Sequence, residues 1–263
     1  MEQNFSKDKK VLLMVVPCYN ESKRFDMSYW IWIISNSPQV QWIYVNDGSK
    51  DETGVLFGAL REYGAITLNL EKNSGKAEAV RHGIGISETY NSTYIGVGYV
   101  DADMAFDKTE VVQFCKESIN LLNSNTFLDC HVASRVKLSG YNISRSSGRH
   151  YLSRVITTWF GLLWREIPYD TQCGLKVFNL NSSIRDAIVS PFATRWLFDI
   201  ELMLRISSVK GRAIVILERP LKYWKEIGES KINRREKFRI LQEITSVSKL
   251  LFKSRKIMMA PND

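Results

Sequence analysis

The 263-residue sequence has no apolar run long enough to cross a bilayer, and Met1 to Lys10 is polar, without the apolar core of a secretory signal. Cysteine is scarce. Cys18, Cys115, Cys130 and Cys173 show no C-x-x-C spacing, which excludes a zinc ribbon and a disulfide framework and fits reduced thiols. His82, His131 and His150 lack a metal-ligand spacing. There is no G-x-x-x-x-G-K-[ST] phosphate loop, and no G-x-G-x-x-G follows a strand. The nearest match, Gly83-Ile84-Gly85, falls inside a helix-like segment and reads as a packing feature. Internal repeats and low-complexity linkers are also missing. The expectation is a cytoplasmic globular protein of one large domain, since 44% hydrophobic and 24% charged residues are ordinary for a folded chain.

Acidic residues are nearly absent from one region. Between Lys231 and Ile257 nine basic residues face only Glu236 and Glu243, so most of the net charge of +8 is C-terminal. Phe238, Leu241, Ile244, Leu251 and Phe252 recur there at roughly helical spacing. The pattern predicts a globular body over 1–230 and a basic amphipathic helical tail over 231–263. Such a helix suits an anionic membrane surface, peripheral on the cytoplasmic face, or it packs on the body with its charges solvated.

The first half alternates strands and helices. Val11–Val16, ended by Pro17, Trp42–Val45, Ala65–Leu70 and Tyr94–Val100 read as strands. Tyr29–Asn36, Lys50–Tyr63, Lys76–Thr89 and Lys108–Asn123 read as helices, the second opened by a Ser49-Lys50-Asp51-Glu52 capping box. This order predicts an α/β fold with a mainly parallel sheet and right-handed crossovers. Three strands end in polar sequence: Pro17-Cys18-Tyr19-Asn20-Glu21, Asn46-Asp47-Gly48-Ser49 and Asp101-Ala102-Asp103. In a parallel sheet these ends converge on one side, where open α/β folds bind ligands. Asp101 and Asp103 are hard oxygen donors suited to Mg2+ or Mn2+, which complete their shells with water and phosphate oxygens. Asn73-Ser74-Gly75-Lys76 opens a helix with a glycine and a lysine, which suits a phosphate. A nucleic-acid-binding module would explain the basic tail but leave these strand ends without a purpose, so nucleic acid is not expected as a partner.

Eight segments, in order, resemble family 2 glycosyltransferases of the GT-A (Rossmann-like) fold. They are VVPCYNE at Val15–Glu21, VNDGSKDET at Val45–Thr53, NSGKAEAVRHG at Asn73–Gly83, DAD at Asp101–Asp103, SR at Ser134-Arg135, YDTQCGLKVF at Tyr169–Phe178, RWLFDIEL at Arg195–Leu202 and WKEIGESKI at Trp224–Ile232. The later ones look like the branch that glucosylates dolichyl or other polyprenyl phosphates. That resemblance implies a UDP-sugar donor, an inverting direct displacement and a divalent cation. Asp47 would bond the uracil, Pro17, Tyr19 and Glu21 would wall the nucleoside, and Lys76 would lie by the nucleotide. Asp101 and Asp103 would engage the metal, Asp103 directly. GDP is not excluded by Asp47.

The acceptor sets the remaining demands. A lipid phosphate is already anionic and needs cations to hold it. Arg135, Arg145, Arg149 and Arg154, interleaved with Ser and Gly, supply that pattern or else form a flexible basic loop. A sugar hydroxyl on a lipid-linked glycan or polysaccharide needs a base, for which Asp199 is the first choice. Asp170 and Gln172 are expected beside the transferred sugar or the acceptor. Cys173 reads as a structural thiol, and Ser230 and Lys231 as a loop closing over the diphosphate. The resemblance also implies an N-terminal membrane-spanning helix, which these 263 residues do not contain.

Overall fold

The computed structural model describes residues 11–89, 94–124, 127–227 and 234–258. Its centre is a seven-stranded sheet in the order β3-β2-β1-β4-β7-β5-β8. The strands are β1 (Leu12–Cys18), β2 (Val40–Asn46), β3 (Ile66–Asn69), β4 (Gly96–Val100), β5 (Cys130–Ser134), β7 (Leu175–Asn179) and β8 (Ile216–Pro220). β1, β2, β3 and β4 pair in parallel, β7 runs antiparallel to β4 and β5, and β8 is parallel to β5. A second small sheet pairs β6 (Asn142–Ser144) with β9 (Tyr223–Lys225).

Helices cover both faces. On one side α1 (Met27–Asn36), α2 (Thr53–Glu62) and α4 (Lys108–Ser124) bury Trp30, Ile33, Phe57, Leu60 and Phe114 against the sheet. A fully buried ring such as Phe57 contributes about 1.5–3 kcal/mol. Trp30 and Tyr44 meet edge to face at 5.5 Å, and the Trp42 indole N–H donates to Ser37 Oγ at 2.8 Å. On the other side lie α3 (Lys76–Thr89), α5 (Ser147–Leu163), α6 (Ser182–Ile188), α7 (Phe198–Lys210) and α8 (Arg234–Met258). Gly83 in α3 lies on β1: a β-carbon there would come within 2.5 Å of the Val15 side chain, so its role is close packing, as expected.

Two local expectations differ from the structure. β1 continues through Pro17 to Cys18, because pairing with β4 stops at Val15 and the missing N–H disturbs no ladder bond. The capping box does not form. Asp51 instead accepts from the Thr53 N–H (3.0 Å) and hydroxyl (2.5 Å), so α2 starts at Thr53, while Ser49 Oγ accepts from the Asn20 N–H (3.0 Å).

All four cysteines are free and buried. α8 is a helix over Arg234–Met258 whose packed face runs through Ile240, Glu243, Val247 and Leu251, with Leu241 and Phe252 exposed. The side chains of 234–238 and 253–258 are not described, and the 230/231 boundary, with Ser230 and Lys231, lies outside the described residues.

His131 on β5 is buried, stacked on Phe114 at 4.2 Å and 2.8 Å from Ser118 Oγ. Burial, reinforced by Arg219, lowers its pKa from 6.5 to about 4. The unfolded chain therefore binds more protons between those values, and stability must fall as pH drops from 6.5 towards 4. Urea midpoints measured across that window should slope steeply for the wild type and less for His131→Asn.

Candidate active site

In the order β3-β2-β1-β4 the direction of strand addition reverses between β1 and β4, which opens a crevice at their carboxyl ends. The residues at these ends are the polar ones singled out in the sequence. Asn20, after β1, and Met104, after β4, are the two non-glycine residues with positive φ (52° and 57°) among the described residues. Strained backbone on both lips of a crevice is characteristic of a ligand site.

Asp101 and Asp103 follow β4. The Asp101 N–H donates to the Gly174 carbonyl (2.9 Å), and Asp101 Oδ1 lies 2.5 Å from Lys76 Nζ at the start of α3. A β-carbon on Gly174 would fall 2.0 Å from Asp101 Oδ2, so the glycine of the DTQCG segment is what lets this carboxylate turn into the crevice. Burial works against the Lys76 ammonium, but Asp101 and Asp199 outweigh it and raise its pKa. Lys76 also stands over the rings of Tyr99 (5.2 Å) and Phe198 (5.6 Å). Asp103 Oδ1 accepts from the Ala105 N–H at 3.1 Å. Burial, then the charge on Asp101, pushes the Asp103 carboxyl up to about 6. Two crowded carboxylates fit a divalent cation. No cluster of three His, Cys, Asp or Glu groups exists among the described residues, so the rest of such a shell would come from water and phosphate.

Asp47, after β2, is buried and accepts three bonds: from the Ser74 N–H (2.7 Å), the Gly75 N–H (2.7 Å) and Asn73 Nδ2 (3.0 Å). Burial still raises its pKa. Expected at a uracil, it holds the loop that leads to Lys76, with about one acceptor position left for a base N–H. Glu21 is held by the Arg24 guanidinium, and its N–H donates to Thr53 Oγ1 at 2.8 Å. Pro17 and Tyr19 are half-buried beside it.

The arginine segment is bonded within the protein. Arg135, expected to hold an acceptor phosphate, spends its fork on Asp170, with Nε–Oδ2 and Nη2–Oδ1 both at 2.7 Å, and its N–H donates to Asp170 Oδ2 at 3.0 Å. Its guanidinium lies 5.0 Å from the Trp224 ring. Burial opposes ionisation of Asp170, but Arg135 and Arg145 hold its carboxyl well below the usual range. Glu218 on β8 fixes the turn, accepting from the N–H groups of Tyr169 and Asp170 (2.9 Å each). Arg154 donates to the Tyr169 carbonyl (3.0 Å) and stacks on its ring (3.9 Å). Arg145 is half-buried beside the Arg135–Asp170 pair, and burial with the Arg135 charge lowers its pKa. Arg149 lies in α5, its side chain not described. Gln172 Nε2 donates to the Trp196 carbonyl at 3.3 Å.

Asp199 is buried under the crevice. It bonds the Tyr99 hydroxyl and lies 2.9 Å from Lys176 Nζ, itself fully buried. Burial pushes the carboxyl up and the ammonium down. The sequence reading missed Lys176, although a lysine inside the apolar run Leu175–Phe178 is a signal for a buried partner.

It also missed Glu243. This α8 carboxylate is buried and accepts from the N–H groups of Arg195 (3.0 Å), Trp196 (2.9 Å) and Leu197 (3.0 Å). Arg195 in turn donates to Asn73 Oδ1 (3.1 Å), over Gly75, where a β-carbon would meet its guanidinium at 2.7 Å. One hydrogen-bonded chain thus runs from α8 through residues 195–197 to the Asp47 loop. Glu243→Ala should weaken nucleotide binding at the crevice about tenfold by calorimetry, since it strands three N–H groups of a segment that braces the loop. Unchanged affinity would reduce Glu243 to a helix-packing group.

Residues 14–122 match the family described as Glycosyl transferase family 2. The chain is 32% identical over 244 residues to a dolichyl-phosphate beta-glucosyltransferase of Trichomonas vaginalis, covering 87% of this chain and 68% of that one. It is likewise 32% identical over 243 residues to the dolichyl-phosphate beta-glucosyltransferase of Homo sapiens, covering 85% and 70%. Among solved structures it is similar to glucosyl-3-phosphoglycerate synthase of Mycobacterium tuberculosis with Mn2+, UDP and glucosyl-3-phosphoglycerate. That pair has a TM-score of 0.58 at 17% identity, covering 97% of this chain and 82% of that one. It is also similar to a mannosyltransferase of Pyrobaculum calidifontis with GDP-Man and Mn2+, with a TM-score of 0.58 at 13% identity, covering 94% and 65%. These likenesses establish the GT-A fold.

Proposed function

Because the chain belongs to glycosyltransferase family 2 and is a nucleotide-sugar-dependent glycosyltransferase, we propose that it moves glucose from UDP-glucose to a dolichyl-type polyprenyl phosphate, with inversion and with Mg2+ or Mn2+. The observation that carries this reading is the meeting of Asp101, Asp103 and Lys76 at the β1/β4 crevice. Asp101 and Asp103 would hold the cation, which when bound supplies Lewis-acid stabilisation of the departing diphosphate. Lys76 adds a positive charge beside the same oxygens, and the Asp47-held loop backs the nucleoside.

An oxygen of the lipid phosphate would form the new bond to the anomeric carbon as the bond to UDP breaks. That nucleophile is anionic near neutrality, so no protein base is required. Arg145, beside the neutralised Arg135–Asp170 pair, is the group best suited to receive it. The hydroxyl-acceptor alternative would need Asp199 as base, and its carboxylate is engaged by Tyr99 and Lys176. That favours the phosphate.

The test is transfer of radiolabel from UDP-glucose, with Mn2+, to dolichyl phosphate in detergent. Labelled lipid that disappears with EDTA is the expected result. Metal-dependent UDP-glucose binding with no labelled lipid would overturn the acceptor assignment and leave the donor assignment standing.

A further inference from the structure

The partners of Asp47 decide how much of its carboxylate is left for a ligand. A carboxylate offers about four acceptor positions, shared between its two oxygens. Oδ2 is filled, by the Gly75 N–H at 2.7 Å and by Asn73 Nδ2 at 3.0 Å. Oδ1 accepts only from the Ser74 N–H, at 2.7 Å. What remains is a single acceptor position, on Oδ1.

The Asn73 amide is held in the orientation that fills Oδ2. Arg195 Nη2 donates to Asn73 Oδ1 at 3.1 Å. A guanidinium only donates and a carboxylate only accepts, so the amide turns its oxygen to Arg195 and its nitrogen to Asp47. The backbone holds the two turns together. Gly48, in the left-handed region at φ 62°, lies on residues 72–73, where a β-carbon would fall 2.4 Å from the Lys72 carbonyl carbon and 2.5 Å from the Asn73 nitrogen. The turn that carries Asp47 therefore rests directly on the one that carries Asn73.

We propose that Asn73, oriented by Arg195, selects the nucleobase of the donor by leaving Asp47 one acceptor position. Uracil presents one ring N–H, at N3, between two carbonyl oxygens, and the open position on Oδ1 satisfies it. Guanine presents two adjacent donors, N1–H and the 2-amino group, and needs both carboxylate oxygens side by side. With Oδ2 filled, either one guanine donor is stranded or the Asn73 amide leaves both of its partners. Each loses a hydrogen bond that uracil keeps. Cytosine has no hydrogen at N3 and sets an acceptor against Oδ1. The inference deepens the UDP-glucose reading and rests on it: Asp47 by itself suits uracil or guanine, and Asn73 makes it a uracil site.

The experiment is calorimetry of UDP, GDP and CDP, each with Mn2+, on the full chain as wild type, Asn73→Ala and Arg195→Met. The wild type should bind UDP about tenfold or more tightly than GDP or CDP. Asn73→Ala vacates a position on Oδ2. Arg195→Met releases the amide that fills it and leaves the Glu243 bonds to the backbone in place. Asn73 and Arg195 are exposed, so the melting temperatures should hardly move. In each variant the ratio of UDP to GDP affinity should fall about tenfold, whatever happens to the absolute affinities, with CDP still bound weakly. An unchanged ratio in Asn73→Ala, with both nucleotides weakened alike, would make Asn73 a loop clip. That would overturn the inference and leave the UDP reading standing. UDP and CDP bound equally by the wild type would also overturn it, since Asp47 would not then read the base. A wild type that does not bind UDP would remove the donor reading and the inference together.

Discussion

Asp103→Ala should lower glucose transfer by about 10²–10⁴-fold at saturating UDP-glucose and Mn2+, without lowering the melting temperature. The first half follows from the crevice, where Asp103 and Asp101 are the carboxylates at the end of β4 and Lys76 is the nearest cation. The second half follows from what Asp103 does for the fold, which is little. It accepts one bond, from the Ala105 N–H, and burial beside Asp101 pushes its carboxyl up to about 6. A carboxyl raised in this way opposes folding above its unfolded pKa, so its removal is neutral or stabilising at pH 7. Loss of rate with an equal or higher melting temperature separates a binding group from a structural one. Full activity in the variant, insensitive to EDTA, would remove the metal from the mechanism.

The elements that bring these groups together were legible because they obey local rules. Apolar runs bounded by polar strand ends predict β1, β2, β3 and β4, and helical periodicity predicts α3 at Lys76–Thr89 and α4 at Lys108–Asn123, one residue short of its observed end at Ser124. Convergence of Asp47, Lys76 and Asp101 then follows from parallel pairing alone. What escaped depends on long-range pairing. β7 enters the sheet antiparallel between β4 and β5, and nothing within Leu175–Asn179 encodes its neighbours. The Lys176–Asp199 and Arg135–Asp170 pairs join residues well apart in sequence, so each looks like an available charge until its partner is seen. Glu243 is one of two acids in a basic stretch, and the periodicity that marks α8 gave no sign that this acid faces inward. Even the start of α2 turned on a tertiary bond, since Ser49 was drawn to Asn20 and Asp51 bonds Thr53, leaving the helix without a side-chain cap.

The Arg135–Asp170 pair should give the largest stability effect in the molecule. Asp170→Ala leaves a buried guanidinium without its counter-ion, a loss of about 3–5 kcal/mol. For a chain of this size that lowers the melting temperature by roughly 6–20 °C. The pH dependence has a definite sign. Arg135 holds the Asp170 carboxyl below its ordinary range, so the pair stabilises above the unfolded pKa of about 3.9 and the contribution is lost as pH falls through the folded value. Replacing both groups, as Asp170→Asn with Arg135→Met, removes the charges together and should recover most of the melting temperature and flatten the acid slope. Transfer should nevertheless stay low. With both charges gone, Arg145 loses the neighbouring charges that set its potential, and Trp224 loses the Arg135 guanidinium over its ring. Recovery of stability without recovery of rate would give the pair a part in acceptor binding through its effect on Arg145. Recovery of both would make Arg135 and Asp170 a scaffold pair only, and the acceptor phosphate would then depend on Arg145 alone.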